Sequence, residues 1–389
     1  MAMKQIPIYE FDYDVRPGSR WDKLSKRSAQ GARTVNRRAA ADWEAWRAVP
    51  FLSGSFRLMT KGRNPYRGEI RGASRALGIP YQQAVLSNFN YELHQLLYYG
   101  FTLWRNELGP SYDSLRESLP WLPNLSLAFD DASALACTAG ALYSPTLGMT
   151  HVRSMDWSLT GLGRHSLLLH HVNVPAGDFY SLGWSGYSGV LSGMKPGCFS
   201  ATLNQAYMFT RPTLQWPPSH LLRHVFEECE TFDEALYMLR YTPVCVPSFI
   251  LLVGARKNEA AVVEMMPSKN RVHRMKSCPI AVGNDYFSSD WRRTIAKRDG
   301  EFFEYLAEDT RKLSLERPGV EMDDRRSSLL ERMRGCRINT LKQALKLLQA
   351  NPIQHEDSMQ QMVFCPAAGK LFAVGREDNQ PVSVREVAG

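Results

Sequence analysis

The spacing of hydrophobic and polar residues changes near residue 134 and divides the chain into two regions. Residues 18–100, before that point, have the composition and spacing of helices. Three helices are predicted there, over Trp21–Val49, Tyr66–Leu77 and Pro80–Leu97, and the last two are separated by Gly78-Ile79-Pro80. Glycine and proline interrupt residues 105–131, which we interpret as a linker or a surface excursion.

After residue 134 the pattern becomes one of short apolar segments punctuated by Gly and Pro, as is typical of strands. The predicted strands are Ala136–Tyr143, Gly148–Met155, His165–Val174, Phe179–Trp184, Cys198–Asn204, Ser248–Ala255, Ala260–Met266 and a short one near Ala281. Further predictions are a helix over Ser219–Tyr241, helices beginning at Asp290 and Asn339, and a final hairpin over 362–374. Many antiparallel strands followed by helices indicate an α+β fold in which helix layers cover the sheets.

Composition narrows the class of protein. The chain has 389 residues, of which 44% are hydrophobic and 22% charged, so there is enough apolar material to exclude a disordered chain. Its N-terminus has no apolar stretch of the secretory kind, and its seven cysteines form no CxxC pair. We therefore expect a cytoplasmic protein with reduced thiols. We expect neither a metal nor a cofactor, since Gly161-Leu-Gly163 lacks the third glycine of a dinucleotide fingerprint.

The net charge of +8 is concentrated near the N-terminus. Residues 20–47 hold eight Lys and Arg against three Asp and Glu. No zinc finger, aromatic RNA-binding motif or basic zipper accompanies this cluster, so we do not expect a nucleic-acid partner. Two interpretations remain open: a solvated helix face, or a basic N-terminal helix that touches an anionic membrane surface or an acidic partner.

A group of potentially reactive residues begins with the first strand after the change of pattern. Cys137 is followed sixteen residues later by Arg153 and then by Asp156. Taken singly, each of these has an ordinary structural explanation, as a buried thiol or an ion pair. Arg153 and Asp156 are three apart, so an ideal strand places them on opposite faces unless it ends or bulges near Met155.

Taken together, these residues resemble the acid-ceramidase and N-acylethanolamine acid amidase group of the choloylglycine-hydrolase-like N-terminal-nucleophile (Ntn) hydrolases. The similarity is continuous from Cys137 to about Arg293 and is best in Cys137-Thr138, Arg153 to Asp156, residues 186–204, and Asn284 to Arg292. Upstream, residues 85–92 resemble the helical segment that precedes the nucleophile in that group. This chain departs from the pattern because 44 residues separate Glu92 from Cys137, Ser154 replaces Asn, and Gly283 replaces Thr.

The resemblance implies a four-layer αββα sandwich with an N-terminal helical segment. Residues 1–136 would be the N-terminal helical region with its linker, as a candidate α-subunit or pro-segment, and residues 137–389 the catalytic domain. Hydrolysis of the Ala136–Cys137 bond would free the α-amino group of Cys137, and the two fragments would form a heterodimer. The role of the inserted residues 97–133 stays open.

The roles of the side chains follow from that resemblance together with the chemistry of thiols. A thiol attacks an amide only as the thiolate, and the neighbouring α-amino group can serve as its base. Arg153 would favour the thiolate, and Asp156 would orient the amine. The amides of Asn204 and Asn284 would stabilise the oxyanion, and Arg292, chosen over Arg293 by spacing, would add positive charge.

The expected activity is hydrolysis of a non-peptide amide bond in a small N-acyl compound through a Cys137 thioester. Apolar residues around Trp184 to Met194 favour a lipid-like acyl group. Two alternatives stay open. The first is an acyltransferase of the penicillin acyltransferase type that uses the same thioester, and the second is a catalytically silent binding protein in which the insert blocks Cys137.

Overall fold

A computed structural model describes residues 3–44, 64–93, 95, 136–157, 159, 161–206, 210–276, 279–291 and 318–388. The helices in this part of the chain are α1 (Lys26–Glu44), α2 (Arg67–Leu77), α3 (Tyr81–Asn88), α4 (Pro218–Glu228), α5 (Phe232–Tyr241), α6 (Pro318–Met333) and α7 (Leu341–Leu345). Two short 3₁₀ helices span Pro17–Ser19 and Pro366–Ala368. No described helix combines the length and the apolar character that crossing a lipid bilayer requires.

Two sheets form the centre of the described structure. The first sheet has the strand order β1-β15-β14-β13-β4-β3-β12. Its strands are β1 (Lys4–Gln5), β3 (Ala136–Ser144), β4 (Gly148–Asp156), β12 (Ile280–Val282), β13 (Ser358–Cys365), β14 (Lys370–Glu377) and β15 (Gln380–Val387). All of its neighbouring strands are antiparallel except β1 and β15, which run parallel.

The second sheet has the strand order β11-β10-β9-β8-β7-β6-β5-β2. Its strands are β2 (Ile8–Asp12), β5 (Leu167–Val172), β6 (Phe179–Gly183), β7 (Ser192–Lys195), β8 (Phe199–Gln205), β9 (Ser248–Gly254), β10 (Ala260–Met265) and β11 (Asn270–Arg274). β2 pairs parallel with β5, so residues before Cys137 contribute one strand to each sheet.

The two sheets pack face to face, and helices cover both outer faces. Ala139 and Ala141 of β3 lie on the inner face and pack against Phe249 and Leu251 of β9. The alternate residues of β3 face α6, where a Cβ on Gly140 would come within 2.8 Å of the Met333 side chain. Helices α4 and α5 cover the outer face of the second sheet, and α7 packs with α6 on the first. The predicted αββα sandwich and the α+β class are confirmed.

The elements differ from the sequence-based expectations at particular places. The helix predicted over Ser219–Tyr241 is two helices, because Thr231 and Glu234 form a capping box that starts a new helix at Phe232. Strands β1, β2, β7, β11 and β15 were not predicted, and neither was α6. The third N-terminal helix, predicted over Pro80–Leu97, breaks at Phe89, which caps α3. The predicted linker over 105–131 lies outside the described residues, as does most of the helix predicted from Asp290.

Candidate active site

Cys137 lies on the inner face of the first sheet, one residue into β3. Alternation along the strand puts its side chain on the same face as Ala139 and Ala141, and it is 2% exposed. Its backbone N–H donates to Oδ1 of Asn284 at 2.9 Å, and its carbonyl accepts from Nδ2 of Asn204 at 3.3 Å. Both backbone groups of the candidate nucleophile are therefore held by candidate site residues.

Arg153 lies beside Cys137 because β3 and β4 pair in register, with Ala139 opposite Arg153. The guanidinium is completely buried, and its Nη2 is 3.2 Å from the Sγ of Cys137. Nη1 donates to the carbonyls of Leu203 at 2.7 Å and Leu191 at 3.1 Å. These carbonyls, one on β8 and one in the residue before β7, fix the cation next to the sulfur.

Asn204 and Asn284 both reach Cys137 but are oriented differently. Nδ2 of Asn204 is within 3.3 Å of the carbonyls of Cys137, Val282 and Gly283 and faces the site as a donor. Asn284 presents its Oδ1 to Cys137, and its Nδ2 donates to the carbonyl of Gln205 at 2.8 Å. In the intact chain Asn284 is thus arranged to accept from the nucleophile's nitrogen and not to donate to an oxyanion.

Asp156 has the orientation that strand alternation requires. Its carboxylate faces the outer layer, where Oδ2 receives Arg325 of α6 at 3.0 Å and His355 at 3.2 Å. Oδ1 accepts from Ser358 at 2.7 Å and Ser154 at 3.2 Å. β4 stays regular, and the irregularity lies in β13 between Ser358 and Gln360. The structure therefore does not bring the Asp156 carboxylate to the sulfur side of the sheet.

Several groups act on the thiol in opposite directions. Burial is the strongest and raises the pKa of Cys137 above its ordinary value, whereas the Arg153 guanidinium lowers it. The charge of Asp156 adds to the rise, and the backbone amides of Asp156 and Gln205 oppose it. In the intact chain burial prevails, so the thiol form is favoured at neutral pH.

The space beside Cys137 is small and mainly apolar. Its lining includes Met155, Trp157, Leu191 and Leu203, together with Tyr91 from the N-terminal region. The free volume is about 20 Å³, which is room for roughly one water molecule. An acyl chain therefore needs more room than the intact chain offers at this position.

Some residues at the site carried no signal of their own in the sequence. Arg325, His355 and Ser358 surround Asp156 from positions 169 to 202 residues further along the chain. Gln205 adjoins Asn204, lines the same pocket as Cys137, and has a buried Oε1 without a partner among the described residues. Arg292 and Arg293 lie outside the described residues.

Comparisons with known proteins show which families this chain is similar to. Residues 151–300 match the family model of acyl-coenzyme A:6-aminopenicillanic acid acyl-transferase. N-acylethanolamine-hydrolyzing acid amidase of Caenorhabditis elegans is 28% identical over 179 residues, which are 43% of this chain and 49% of that protein. Acid ceramidase of Rattus norvegicus is 24% identical over 339 residues, which cover 75% and 74%. The chain thus spans about half of the first relative and three quarters of the second.

The rat match places the similarity along most of the chain. The family-model match and both relatives support a choloylglycine-hydrolase-like Ntn hydrolase family. The family is one of enzymes that cleave linear amides, as the names of both relatives indicate. Among solved structures, the Caenorhabditis elegans N-acylethanolamine-hydrolyzing acid amidase ortholog has a TM-score of 0.45 and 22% identity, covering 59% of this chain and 93% of that one.

Proposed function

We propose that the chain is an Ntn amidase that hydrolyses the amide bond of an N-acyl lipid through a Cys137 thioester. The observation that carries this proposal is the buried pair of Cys137 Sγ and Arg153 Nη2, 3.2 Å apart. A fixed cation beside a sulfur stabilises the thiolate that amide attack requires. The names of the relatives, an N-acylethanolamine amidase and ceramidases, support the substrate class.

The first step would be the enzyme's own maturation. The Cys137 thiolate attacks the carbonyl carbon of Ala136, the C–N bond of the Ala136–Cys137 peptide breaks, and the departing nitrogen takes a proton to become the α-amino group. Water then hydrolyses the resulting thioester, which releases the carboxylate of Ala136 and restores the thiol. The space beside Cys137 in the intact chain is too narrow for an acyl chain. This supports an order in which cleavage comes before substrate entry.

The same chemistry would then act on substrate. The free amine accepts the thiol proton, Sγ attacks the substrate's amide carbon, the amide C–N bond breaks, and the protonated amine returns a proton to the leaving nitrogen. Water, which loses a proton to the same amine, then hydrolyses the thioester, so that the acyl group leaves as a carboxylic acid and the thiol is restored. Asn204 is the candidate donor to the oxyanion, because its Nδ2 already faces the site. Asn284 Oδ1, which holds the Cys137 nitrogen, is the group that would orient the amine. We propose for Asp156 an indirect role, through its backbone amide and its contacts with α6, and for Arg292 the added charge that the resemblance implies.

Mass spectrometry of the purified protein, with N-terminal sequencing of the larger fragment, tests the proposal. We expect fragments 1–136 and 137–389, with Cys137 as the new N-terminus. Cys137→Ala should stay intact and inactive, whereas Cys198→Ala, which removes a half-buried thiol elsewhere, should cleave normally. A wild-type chain that stays whole and inactive would instead support the silent binding protein.

The family-model match favours acyl transfer as a second candidate, because its description names an acyl-transferase. The thioester would be the same, and an amine would replace water as the acceptor. Product analysis with an N-acylethanolamine substrate distinguishes the two activities. Free fatty acid as the main product with a primary amine present supports the hydrolase, whereas a new amide supports the transferase.

We also propose that the exposed side of α1 contacts anionic membrane. Arg37 is exposed there, whereas the Nη1 of Arg33 donates to the Leu77 carbonyl, so reversing Arg33 would disturb packing. Arg37→Glu should reduce co-sedimentation with phosphatidylserine vesicles and leave hydrolysis of a soluble substrate unchanged. Equal sedimentation of both proteins would end this proposal.

A further inference from the structure

A second cavity lies apart from the Cys137 pocket, between β1, the first turn of α1 and the loop before β5. Its volume is about 290 Å³, enough for a ligand of several heavy atoms. The lining residues used below are Lys4, Ser25, Arg27, Ser28, Arg164 and His165. None of these takes part in the proposed amide hydrolysis.

Positive side chains from three separate segments meet at this cavity. Lys4 comes from β1, Arg27 from α1, and Arg164 from the loop before β5. The described lining residues include no Asp or Glu. Glu377 of β14 pairs with Arg164 at 2.9 Å and accepts its backbone N–H at 3.0 Å, which neutralises one of the three charges.

The cations repel one another where they stand. The pKa of Lys4 is lowered first by burial and then by Arg27 and Arg164, while Glu377 opposes the shift. The pKa of His165 is also lowered, first by burial and then by Lys4, with Arg164 and Arg38 adding to the effect. Like charges held together in this way gain stability when an anion enters between them.

The beginning of α1 adds polar groups of the matching kind. Ser25 precedes the helix, and its Oγ accepts the backbone N–H of Ser28 at 3.1 Å. Both hydroxyls line the cavity, and that of Ser25 donates to the Oγ of Ser28 at 2.9 Å, so the Ser28 hydroxyl is the one with a hydrogen left for a ligand. The first N–H groups of a helix and its positive dipole end favour an anion.

We propose that this cavity binds a phosphate-type oxyanion, held by Lys4, Arg27 and the Ser28 hydroxyl near the start of α1. Several cationic and hydroxyl donors that converge on one space suit an anion with several oxygens better than a carboxylate. The phosphate could be free in solution or part of a lipid headgroup. Ser185, which also lines the cavity, is two residues before Tyr187 of the Cys137 pocket.

Calorimetric titration of the intact full-length Cys137→Ala protein with inorganic phosphate tests the site. We expect Lys4→Gln/Arg27→Gln to weaken phosphate binding at least tenfold, and Arg27→Lys to stay within about threefold of the parent. The matched control is Lys342→Gln/Lys346→Gln, which removes two exposed charges at α7 and should leave affinity unchanged. Acetate at equal ionic strength should bind at least tenfold more weakly than phosphate.

Vesicle co-sedimentation distinguishes the two sources of phosphate. The vesicles contain phosphatidylcholine and phosphatidic acid, and the cavity variant is Lys4→Gln/Arg27→Gln. The ligand is a lipid headgroup if the parent protein sediments with these vesicles, the cavity variant does not, and free phosphate releases the parent. The ligand is soluble phosphate if the parent and the cavity variant sediment equally with the vesicles but differ in their calorimetric affinity for phosphate. The proposal is overturned if the folded cavity variant and the α7 control bind phosphate equally, or if acetate binds as tightly as phosphate.

Discussion

At the scale of single residues, the proposed thiol chemistry depends on the guanidinium of Arg153. Burial and the Asp156 charge raise the pKa of Cys137, and Arg153 lowers it. The thiolate fraction grows with pH until the thiol pKa is passed, so self-cleavage should accelerate with rising pH. Arg153→Met removes the opposing charge, raises the thiol pKa further, and should leave about 10- to 1,000-fold less thiolate at a fixed pH.

The rate at which the two fragments appear, measured over a pH series on freshly translated chain, checks this prediction. The Arg153→Met profile should move to higher pH. Lys195→Met is the control, because it removes another buried cation whose Nζ donates to the carbonyls of Ala176 and Cys229. A profile that shifts equally in both variants would mean that stability, and not the thiol pKa, is responsible.

Glu92 is a second residue whose protonation matters. Burial raises its pKa to about 8, and neither carboxyl oxygen has a hydrogen-bond partner among the described residues. The unfolded pKa lies near 4.5, so the native state holds the proton over a range in which the unfolded chain loses it. Ionisation of Glu92 therefore does not reduce the free energy of unfolding below pH 4.5. That free energy should fall by about 2–4 kcal/mol as the pH rises from 5 to 8.

Urea unfolding at pH 5, 6, 7 and 8 measures this slope. Glu92→Gln has no titrating group at this position. The fall in its free energy of unfolding between pH 5 and pH 8 should therefore be about 2–4 kcal/mol smaller than that of the wild type. The comparison uses slopes, because the glutamine amide also alters stability at every pH. Parallel curves for the two proteins would contradict the raised pKa.

At the scale of elements, a buried ion pair joins α2 to α4. Arg223 donates to Glu69 through Nη1 at 2.5 Å and Nη2 at 2.8 Å, and both side chains are 1% exposed. The Glu227 carboxylate accepts hydrogen bonds from the Nε of Arg223 at 2.7 Å and from the hydroxyl of Tyr66 at 2.6 Å. The network fixes the N-terminal helices on the helix layer of the second sheet.

Removing one partner should cost more than removing both. Glu69→Ala leaves Arg223 buried with less compensation and should lower the free energy of unfolding by about 3–5 kcal/mol. Glu69→Met/Arg223→Met should lose less, since the buried pair is removed as a whole and Glu227, which loses Arg223, still accepts from the hydroxyls of Tyr13 and Tyr66. Arg256→Ala, whose side chain is 76% exposed in its pair with Glu259, should change little. Denaturant unfolding of all four proteins tests the ranking, and a double variant weaker than Glu69→Ala would refute it.

The pattern of elements shows what the sequence could and could not predict. Apolar residues at every second position, with flanking Gly or Pro, located β3, β4 and the hairpin of β13 and β14. The same alternation put Arg153 and Asp156 on opposite faces of β4 unless the strand bulged near Met155, and in the structure β4 is regular there. The partners of Asp156 could not be found in this way, because Arg325 and His355 reach it only through the packing of α6 on the first sheet. The break between α4 and α5 had a readable signal in Thr231 and Glu234.

At the scale of the whole molecule, the segment before Cys137 is built into both sheets. β1 pairs with β15, and β2 pairs with β5. Both backbone groups of Ile6 bond to β15: its N–H donates to the carbonyl of Val384, and its carbonyl accepts from the Arg385 side chain. Cleavage at the Ala136–Cys137 bond would cut the chain without breaking any of these contacts.

A third connection reaches the candidate active site. Oδ1 of Asn88 accepts the N–H of Ser188 at 2.6 Å, and its Nδ2 donates to the carbonyl of Gly186 at 2.9 Å. The residue between them, Tyr187, lines the Cys137 pocket. The segment before Cys137 therefore contributes to the shape of the pocket as well as to the sheets.

We predict that the fragments 1–136 and 137–389 stay together after cleavage as one functional unit. Size-exclusion chromatography in native buffer should give a single peak with the mass of the whole chain, and guanidinium chloride should separate it into two. Asn88→Ala should keep that single peak but raise the KM for substrate several-fold, because the loop around Tyr187 loses two hydrogen bonds while the strand pairs persist. Active 137–389 fragment eluting alone would show that the N-terminal segment is dispensable after maturation, and the contacts of β1, β2 and Asn88 would then serve folding only.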